Sequence, residues 1–543
     1  MSLVRKADKR KKIRFTGAVY TPTDIAVALI KKVISLVPSR PLEILEPSVG
    51  DGVFLHEMIK LQQEHKFTAV DIDSQSIDTL LKGLAGCRSS LNLICSDFIE
   101  YALSKSYVGF RKFDIIIGNP PFIRGRHFSE EFKSRMAELS AVASYPLIDL
   151  KNSWVAFLIA SGLLVSPDGV VALILPYELM TVDYGRKALR SLSAAYERID
   201  LFISKSKAFP SIDQDAVIFV GQKKTNRSKG LYINHVESMV DLFSPVVHKL
   251  SALDQSNSGI ELSSFLLPKT TVELLVKLRA RAKKISDFSG SAPGIVSAAN
   301  EFFILTKARV EELEVENYVI PILKKGSLAS HRPVFDHADF NELERREPCY
   351  LLNIKGEFSS LNEKLQEYIK QGEAEGLHKR YKCRNRKNWY EVPIVSREVG
   401  FFFKRSHQLP KICINNANVY LTDTAYGLRI KDGYTIKGLC YSFYNSLTML
   451  FAELDGRFYG GGVLELSPTE FRGLPLAYHE PTDKEFQEFI AAHELARGEV
   501  NEILSYGDRW LIKKLNMSPK DISAVQEALS LVRAHRMRHG GSI

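Results

Sequence analysis

Cysteine is scarce and scattered, with six in 543 residues, at 87, 95, 349, 383, 413 and 440, and no Cys-x-x-Cys pair. That spacing supplies neither a disulfide framework nor a thiolate-held zinc site. Long apolar runs are also missing. None approaches the roughly 18–20 residues of a membrane span, and the basic opening MSLVRKADKRKKIRF has no apolar stretch behind it to make a signal peptide. A cytoplasmic chain with no membrane association is expected. No Asp, Glu and Lys cluster on adjacent strands has the form of a metal-dependent nuclease, and there is no internal repeat or low-complexity segment. No metal site is expected.

At 543 residues the chain exceeds what one hydrophobic core holds, so two or three domains are expected. A formal net charge of +10 points to a polyanionic partner, most simply nucleic acid, although charge alone speaks only to non-specific binding.

From residue 23 onward the pattern alternates. TDIAVALIKKVISLV has helical spacing behind a Thr23-Asp24 pair able to cap it. Short apolar runs follow at 42–47, 67–73, 91–97, 113–121, 169–176, 198–203 and 216–222, separated mostly by helical stretches such as 153–166 and 184–196. The alternation predicts an α/β fold with a doubly wound, mostly parallel sheet. Such sheets bind ligands outside the carboxyl ends of their strands. Basic text at 222–230 ends the alternation, which places a first domain at 1–245. Residues 246–478 are irregular and aromatic, and predict a mixed α+β second domain. The remainder, 479–543, has helical spacing and few breakers.

ILEPSVGDGVFL (44–55) reads as a strand, a turn and a helix start. Gly50 and Gly52 let a ligand come close to the backbone, and Glu46 puts a carboxylate at the strand tip. The turn lacks the Gly-x-Gly-x-x-Gly spacing and any Gly-Lys-Ser/Thr, and Glu46 with Asp51 would repel phosphate. A cationic or neutral ligand suits it better, and an ordinary strand-to-helix turn is the alternative. Asp71 falls about 20 residues on, where dinucleotide folds place a ribose-binding acid. Asp97 ends the third run, beside Phe98. Each acid alone could equally be a helix cap. Three in register describe a pocket for an adenosine bearing positive charge and no phosphate, which is S-adenosylmethionine.

After the run FDIII (113–117) comes GNPPFIR. A plain turn uses Pro, Gly and polar residues but has no need of Phe. Pro120 and Pro121 lack N–H groups and stiffen the chain, so the Asn119 side chain and the Pro120 carbonyl can be held outward as two acceptors. An exocyclic amine on a nucleobase donates two hydrogen bonds. Accepting both favours a tetrahedral nitrogen able to attack a methyl sulfonium, while Phe122 stacks on the base.

The ordered set resembles the TaqI-like, gamma-class amino-group DNA methyltransferases, the N6-adenine enzymes of restriction–modification systems. The residues that carry the likeness are Asn119-Pro120-Pro121-Phe122, the loop residues Glu46, Pro47, Ser48, Gly50 and Gly52, Asp71 with Ile72, and Asp97-Phe98. GAVYTP (17–22) is similar to the family's N-terminal cofactor segment, which implies that Tyr20, Thr21 and Pro22 close over the methionine end. KAFPSIDQDAVIFV (207–220) resembles the segment whose Phe stacks on the flipped adenine, here Phe209, which could instead be core. The resemblance implies a Rossmann-like S-adenosylmethionine-dependent catalytic domain and a fused DNA-recognition domain acting on double-stranded DNA. The base would be extruded before reaction, and a cognate restriction endonuclease would be a separate chain. Residues 294–307 and 439–454 look like parts of the family's recognition domains, the first as a strand pair with a turn and the second as one helix. In that domain six Lys or Arg lie within 379–387, followed by Trp389 and Tyr390. Arg384, Arg386, Lys387, Trp389 and Tyr390 are candidates for DNA contacts, with a solvated charged face as the alternative. The basic arm from Arg5 to Arg14 is either a backbone-following arm or a loose tail. Residue chemistry leaves open N4-cytosine as the target, an RNA or protein amide as the acceptor, and an inactive DNA-binding specificity subunit.

Overall fold

The computed structural model describes residues 20–61, 64–84, 90–106, 112–147, 150–181, 183–206, 209, 215–249, 266–329, 332–459 and 462–537. The chain divides into two compact units. One comprises 1–265 with the short stretches 459–461 and 537–543, and the other takes the rest of 266–536. The C-terminal helices from Asp483 onward, expected as a separate segment, belong to the second unit: Phe486, Leu511 and Val525 share one core with Phe402, Phe443 and Phe451. Basic arm residues 5–14 lie outside the described residues.

The first unit is built on a nine-stranded sheet: β1 (Glu43–Glu46), β2 (Lys66–Asp71), β3 (Leu91–Cys95), β4 (Phe113–Gly118), β5 (Val165–Pro176), β6 (Arg198–Ser204), β7 (Ala216–Gln222), β8 (Gly230–Val236) and β9 (Val246–Lys249). Their spatial order is β3-β2-β1-β4-β5-β7-β6-β8-β9. β1 pairs in parallel with both β2 and β4, so the winding reverses between β1 and β4. β7 runs antiparallel between β5 and β6, with Pro176 opposite Ala216 and Phe202 opposite Ile218. β4, β6 and β7 are buried along their whole length. That is why β4 and β7 read as largely continuous apolar runs rather than alternating ones, while β6 buries Arg198 and Asp200 as an ion pair at 2.7 Å. β8 and β9 were not expected from the sequence. In β8 the run is interrupted by Asn234, which is buried and donates to Asp200 at 3.1 Å.

Helices α1 (Thr23–Ile34), α2 (Val53–Ile59), α3 (Ser74–Gly83), α4 (Phe98–Lys105), α5 (Glu130–Ala143) and α6 (Trp154–Leu164) cover the sheet. Leu29 and Val33 of α1 enter one core with Ile44, Ile115, Ala172 and Ile218 of the strands. Pro22 rather than the expected Thr23-Asp24 pair occupies the N-cap of α1, and within the first turn Asp24 accepts from the Ile25 amide at 2.9 Å. α6 is apolar around almost its whole circumference and is accordingly buried.

In the second unit, strands 289–293, 425–430, 400–403, 412–415 and 334–335 form a five-stranded sheet in that order. Residues 294–307, expected as a strand pair, hold the short helix Asn300–Phe303 and the two-residue strand Ile304–Leu305. Residues 439–454, expected as one helix, break into Ile436–Phe443 and Ser446–Asp455. Asn445 makes the break: its side chain accepts from the Thr448 amide and donates to the Ser442 carbonyl, both at 2.8 Å. Asn in this role caps the second helix rather than continuing the first.

Candidate active site

Where a wound sheet reverses direction, the loops leaving the two central strands part and open a crevice at their carboxyl ends. Here those ends are Glu46 of β1 and Gly118 of β4. A cavity of about 570 Å³ lies there, and its wall includes Glu46, Gly50, Asp71, Asp97 and Asn119.

The β1–α2 turn is shaped by two glycines in the left-handed region, Gly50 at φ 53° and Gly52 at φ 77°. A Cβ on Gly52 would lie 2.5 Å from Leu80 Cδ2, so no larger residue fits there. Asp71 braces this turn. One carboxylate oxygen accepts from the Gly50 amide at 2.8 Å and the other from the Asp73 amide at 2.9 Å. Ile72 beside it is 72% exposed, an apolar side chain at the cavity's mouth. Pro47, Ser48, Tyr20 and Thr21 also line the wall.

Glu46 is 5% exposed, and its Oε2 has no hydrogen-bond partner. Burial pushes its carboxyl well above the usual range, with the neighbouring Asp51 carboxylate adding to the effect. The Leu55 amide in α2 pulls the other way. A buried carboxyl facing a cavity in this state favours a cationic occupant, which would stabilise the ionised form.

Asp97 does what its alternative allowed. It caps α4, accepting from the Ile99 amide at 2.8 Å and the Glu100 amide at 3.1 Å. Its other oxygen lies 3.4 Å from the Arg135 guanidinium on α5. Phe98 stacks on Phe157 of α6, with ring centroids 5.2 Å apart. Asn119 extends from the end of β4. Its Nδ2 donates to the Thr21 hydroxyl at 3.1 Å, and its backbone carbonyl accepts from the Ser48 hydroxyl at 3.1 Å.

Of the residues singled out from the sequence, Tyr20, Thr21, Glu46, Pro47, Ser48, Gly50, Asp71, Ile72, Asp97, Phe98, Asn119 and Pro121 line this one cavity. Pro22, Gly52, Pro120, Phe122 and Phe209 do not. Phe122 is 9% exposed, and Phe209 is 3% exposed in the core with Phe202 and Met239. Residues 207, 208 and 210–214 around Phe209 lie outside the described residues. Sequence reasoning missed Phe128 ahead of α5, Phe132 and Arg135 within it, Ser153 at the N-cap of α6 and Phe157 within that helix. Phe128 and Phe132 pack with centroids 4.9 Å apart, but Phe128 precedes the helix, so their spacing gave no helical signal, and Ser153 gave none either.

The basic stretch of the second unit divides: Lys379, Arg380, Lys382, Arg384 and Lys387 are exposed, whereas Arg386, Trp389 and Tyr390 turn inward. Arg386 donates to the Val296 carbonyl at 3.1 Å, the Ser297 carbonyl at 2.8 Å and the Trp389 carbonyl at 3.1 Å, and burial lowers its pKa. Trp389 packs on Phe302 at 5.5 Å and donates to Glu373 at 3.0 Å, and Tyr390 is 5% exposed. Only Arg384 and Lys387 of the five candidates present their charge to solvent; Lys387 lies 3.9 Å from Glu357. Arg386 alone of this cluster closes a core, because a guanidinium can satisfy several backbone carbonyls at once.

The wound sheet, its switch-point cavity and the acid-lined glycine turn are those of a S-adenosylmethionine-dependent methyltransferase. Residues 21–209 match the family described as Eco57I restriction-modification methylase, and residues 260–512 match the family described as type II methyltransferase M.Eco57I, C-terminal domain. The chain is 24% identical to the type II methyltransferase M.AccI of Acinetobacter calcoaceticus over 84% of each protein. It is 31% identical to M.HincII of Haemophilus influenzae over 44% of this chain and 42% of that one. The solved type IIG restriction endonuclease BpuSI aligns over 96% of this chain and 66% of its own, at 16% identity and a TM-score of 0.39. Over these two segments the chain resembles the Eco57I-like methyltransferases of the type II restriction–modification group, and its cofactor is S-adenosylmethionine. No described helix is long and apolar enough to cross a membrane.

The cavity suits that cofactor on its own terms. Glu46 provides a buried carboxylate for a cationic group, the glycines allow close approach, and Ile72 offers an apolar face for a ring. When bound, the cofactor supplies an electrophilic methyl group.

Proposed function

We propose that this chain is a site-specific adenine-N6 DNA methyltransferase. It transfers the methyl group of S-adenosylmethionine to the exocyclic amine of an adenine flipped out of duplex DNA. The modified site is thereby protected from a separate cognate restriction endonuclease. The observation that carries this function is the placement of Asn119 on the cavity wall, at the end of β4 and within reach of Thr21 and Ser48.

In the proposed mechanism Asn119 and the Pro120 carbonyl accept the two amine protons' hydrogen bonds. The amine nitrogen becomes more tetrahedral, and no strongly basic side chain is needed. Asp71 retains lone pairs for ribose hydroxyls beyond the two amides it accepts, and Ile72 and Phe98 flank the adenine of the cofactor. Phe122 and Phe209 hold the extruded base from its two faces. Both are largely buried, so each must turn outward when the base enters. The second unit, 266–536, is assigned target recognition, with Arg384 and Lys387 neutralising phosphates.

The test is transfer of a labelled methyl group to duplex DNA, RNA and protein, followed by nucleoside analysis of the product. N6-methyladenine in duplex DNA is expected. Label appearing as N4-methylcytosine, in RNA or in protein would replace the assigned target, and no label anywhere would leave a binding-only specificity subunit. Asn119→Ala is expected to lower turnover at least about a hundredfold, as loss of one preorganised polar contact commonly does, while cofactor and DNA binding persist. Retained turnover would refute the role given to Asn119.

A further inference from the structure

Ser153 stands at the N-terminal boundary of α6, where a serine hydroxyl ordinarily accepts from the helix's own first amides. It makes no such bond. The hydroxyl reaches across to the segment after the two prolines, donating to the Pro121 carbonyl and accepting from the Ile123 amide at 2.9 Å. The backbones are laced at the same place. The Ser153 amide donates to the Ile123 carbonyl at 2.9 Å, and the Gly125 amide donates to the Lys151 carbonyl at 2.8 Å. Arg124 and Asn152 form an isolated antiparallel bridge between them. There is no slack: a Cβ on Gly125 would lie 2.8 Å from the Leu150 carbonyl oxygen. Asn152, 2% exposed, donates in turn to Glu178 at 3.3 Å, which also accepts from Tyr184 at 2.7 Å.

Pro120 and Pro121 have no N–H, so the Asn-Pro-Pro turn cannot be held through its own amides at those positions. Upstream it is gripped by Thr21 and Ser48. Downstream, one side chain takes both the Pro121 carbonyl and the Ile123 amide.

We infer that Ser153 is a positioning residue for methyl transfer. It sets the direction of the Asn119 and Pro120 acceptors by clamping the chain behind them, at the expense of capping its own helix. The inference rests on the proposed role of Asn119.

The test compares Ser153→Ala with Ser161→Ala in the full-length protein. Ser161 is a fully buried serine on the same helix whose hydroxyl donates to the Phe157 carbonyl at 2.8 Å. Single-turnover methyl transfer, dissociation constants for cofactor and DNA, and thermal unfolding are measured for each. Ser153→Ala is expected to slow the transfer step about a hundredfold, the scale set by displacements of about 1 Å in a reacting geometry, with both dissociation constants unchanged. Ser161→Ala is expected to lose comparable thermal stability and keep the wild-type rate. Ser153→Cys, of similar volume and a weak donor, is expected to fall between wild type and alanine. A wild-type rate in Ser153→Ala, or a rate loss that Ser161→Ala shares in step with its stability, overturns the inference while leaving the proposed function standing. If wild type modifies RNA or protein instead of DNA, the same comparison on that acceptor decides the role of Ser153. A wild-type chain inactive on every acceptor overturns both.

Discussion

Replacing Glu46 with glutamine separates what its carboxylate costs the fold from what it contributes to binding. The side chain is 5% exposed, its Oε2 lacks a hydrogen-bond partner, and burial holds its pKa well above the usual carboxylate range. A group whose folded pKa exceeds its unfolded value of about 4.3 contributes stability below that unfolded value. The contribution is lost as pH rises through the folded one. Near neutral pH the unliganded Glu46→Gln protein should therefore be as stable as wild type or more so. Binding has the opposite sign, because a cationic ligand stabilises the ionised form. A hydrogen bond to a charged group contributes about 1.5–3 kcal/mol, which predicts cofactor binding weakened about 10- to 100-fold. Wild-type affinity should tighten as pH rises towards the pKa of the free protein, by up to about tenfold per unit, while the glutamine variant should show no such slope. Titration calorimetry across pH, together with thermal unfolding of the unliganded proteins, reads both effects. Equal affinities and equal pH slopes in the two proteins would refute the assignment of Glu46 to a cationic ligand.

Two further predictions concern the second unit. Arg536 and Glu453 form an ion pair, with Arg536 Nε 2.7 Å from Glu453 Oε2 and side chains only 1% and 2% exposed. Arg536→Ala leaves a buried carboxylate unpaired and should cost about 3–5 kcal/mol in urea unfolding; replacing both partners together with Met and Leu should cost much less. His493 is buried between the rings of Tyr444 and Phe489, and its pKa is lowered to about 4. The unfolded chain takes up this proton at higher pH than the folded one, so the stability is present above about 6.5 and is lost as pH falls towards 4, by about 3 kcal/mol in all. His493→Gln should flatten that part of the pH dependence of unfolding midpoints, and an unchanged slope would point to another group.

Strands β1 to β7 were legible because each carries a short apolar run, and the runs of β1 and β2 end in an acid at the edge where the cavity lies. β8 escaped notice because a tertiary contact, Asn234 to Asp200, satisfies a polar residue where the pattern demands an apolar one. The cavity was legible at its strand tips, where acids and glycines mark Glu46, Gly50 and Asp71. Its far wall was not, since Phe132 and Phe157 read as ordinary helical residues, and Phe128 as a loop residue, until the fold brings them round. Within the basic stretch the sequence could not single out Arg386: charge visible in sequence does not reveal that it is bonded to three backbone carbonyls. Ser153 could not have been found at all, because its hydroxyl bonds to a segment 30 residues away.

The reversal of β7 has a consequence for how such a protein can diversify. In a purely parallel sheet every connection must cross from one edge to the other, and its length is tied to that crossing. β6 and β7 are antiparallel neighbours, so the connection from Ser204 to Ala216 leaves and re-enters the sheet at the edge where Asn119 sits. It can lengthen, shorten or exchange side chains without shifting the register of any strand. Evolution or an engineer can therefore vary the residues between these two strands while the scaffold beneath keeps its pairing unchanged.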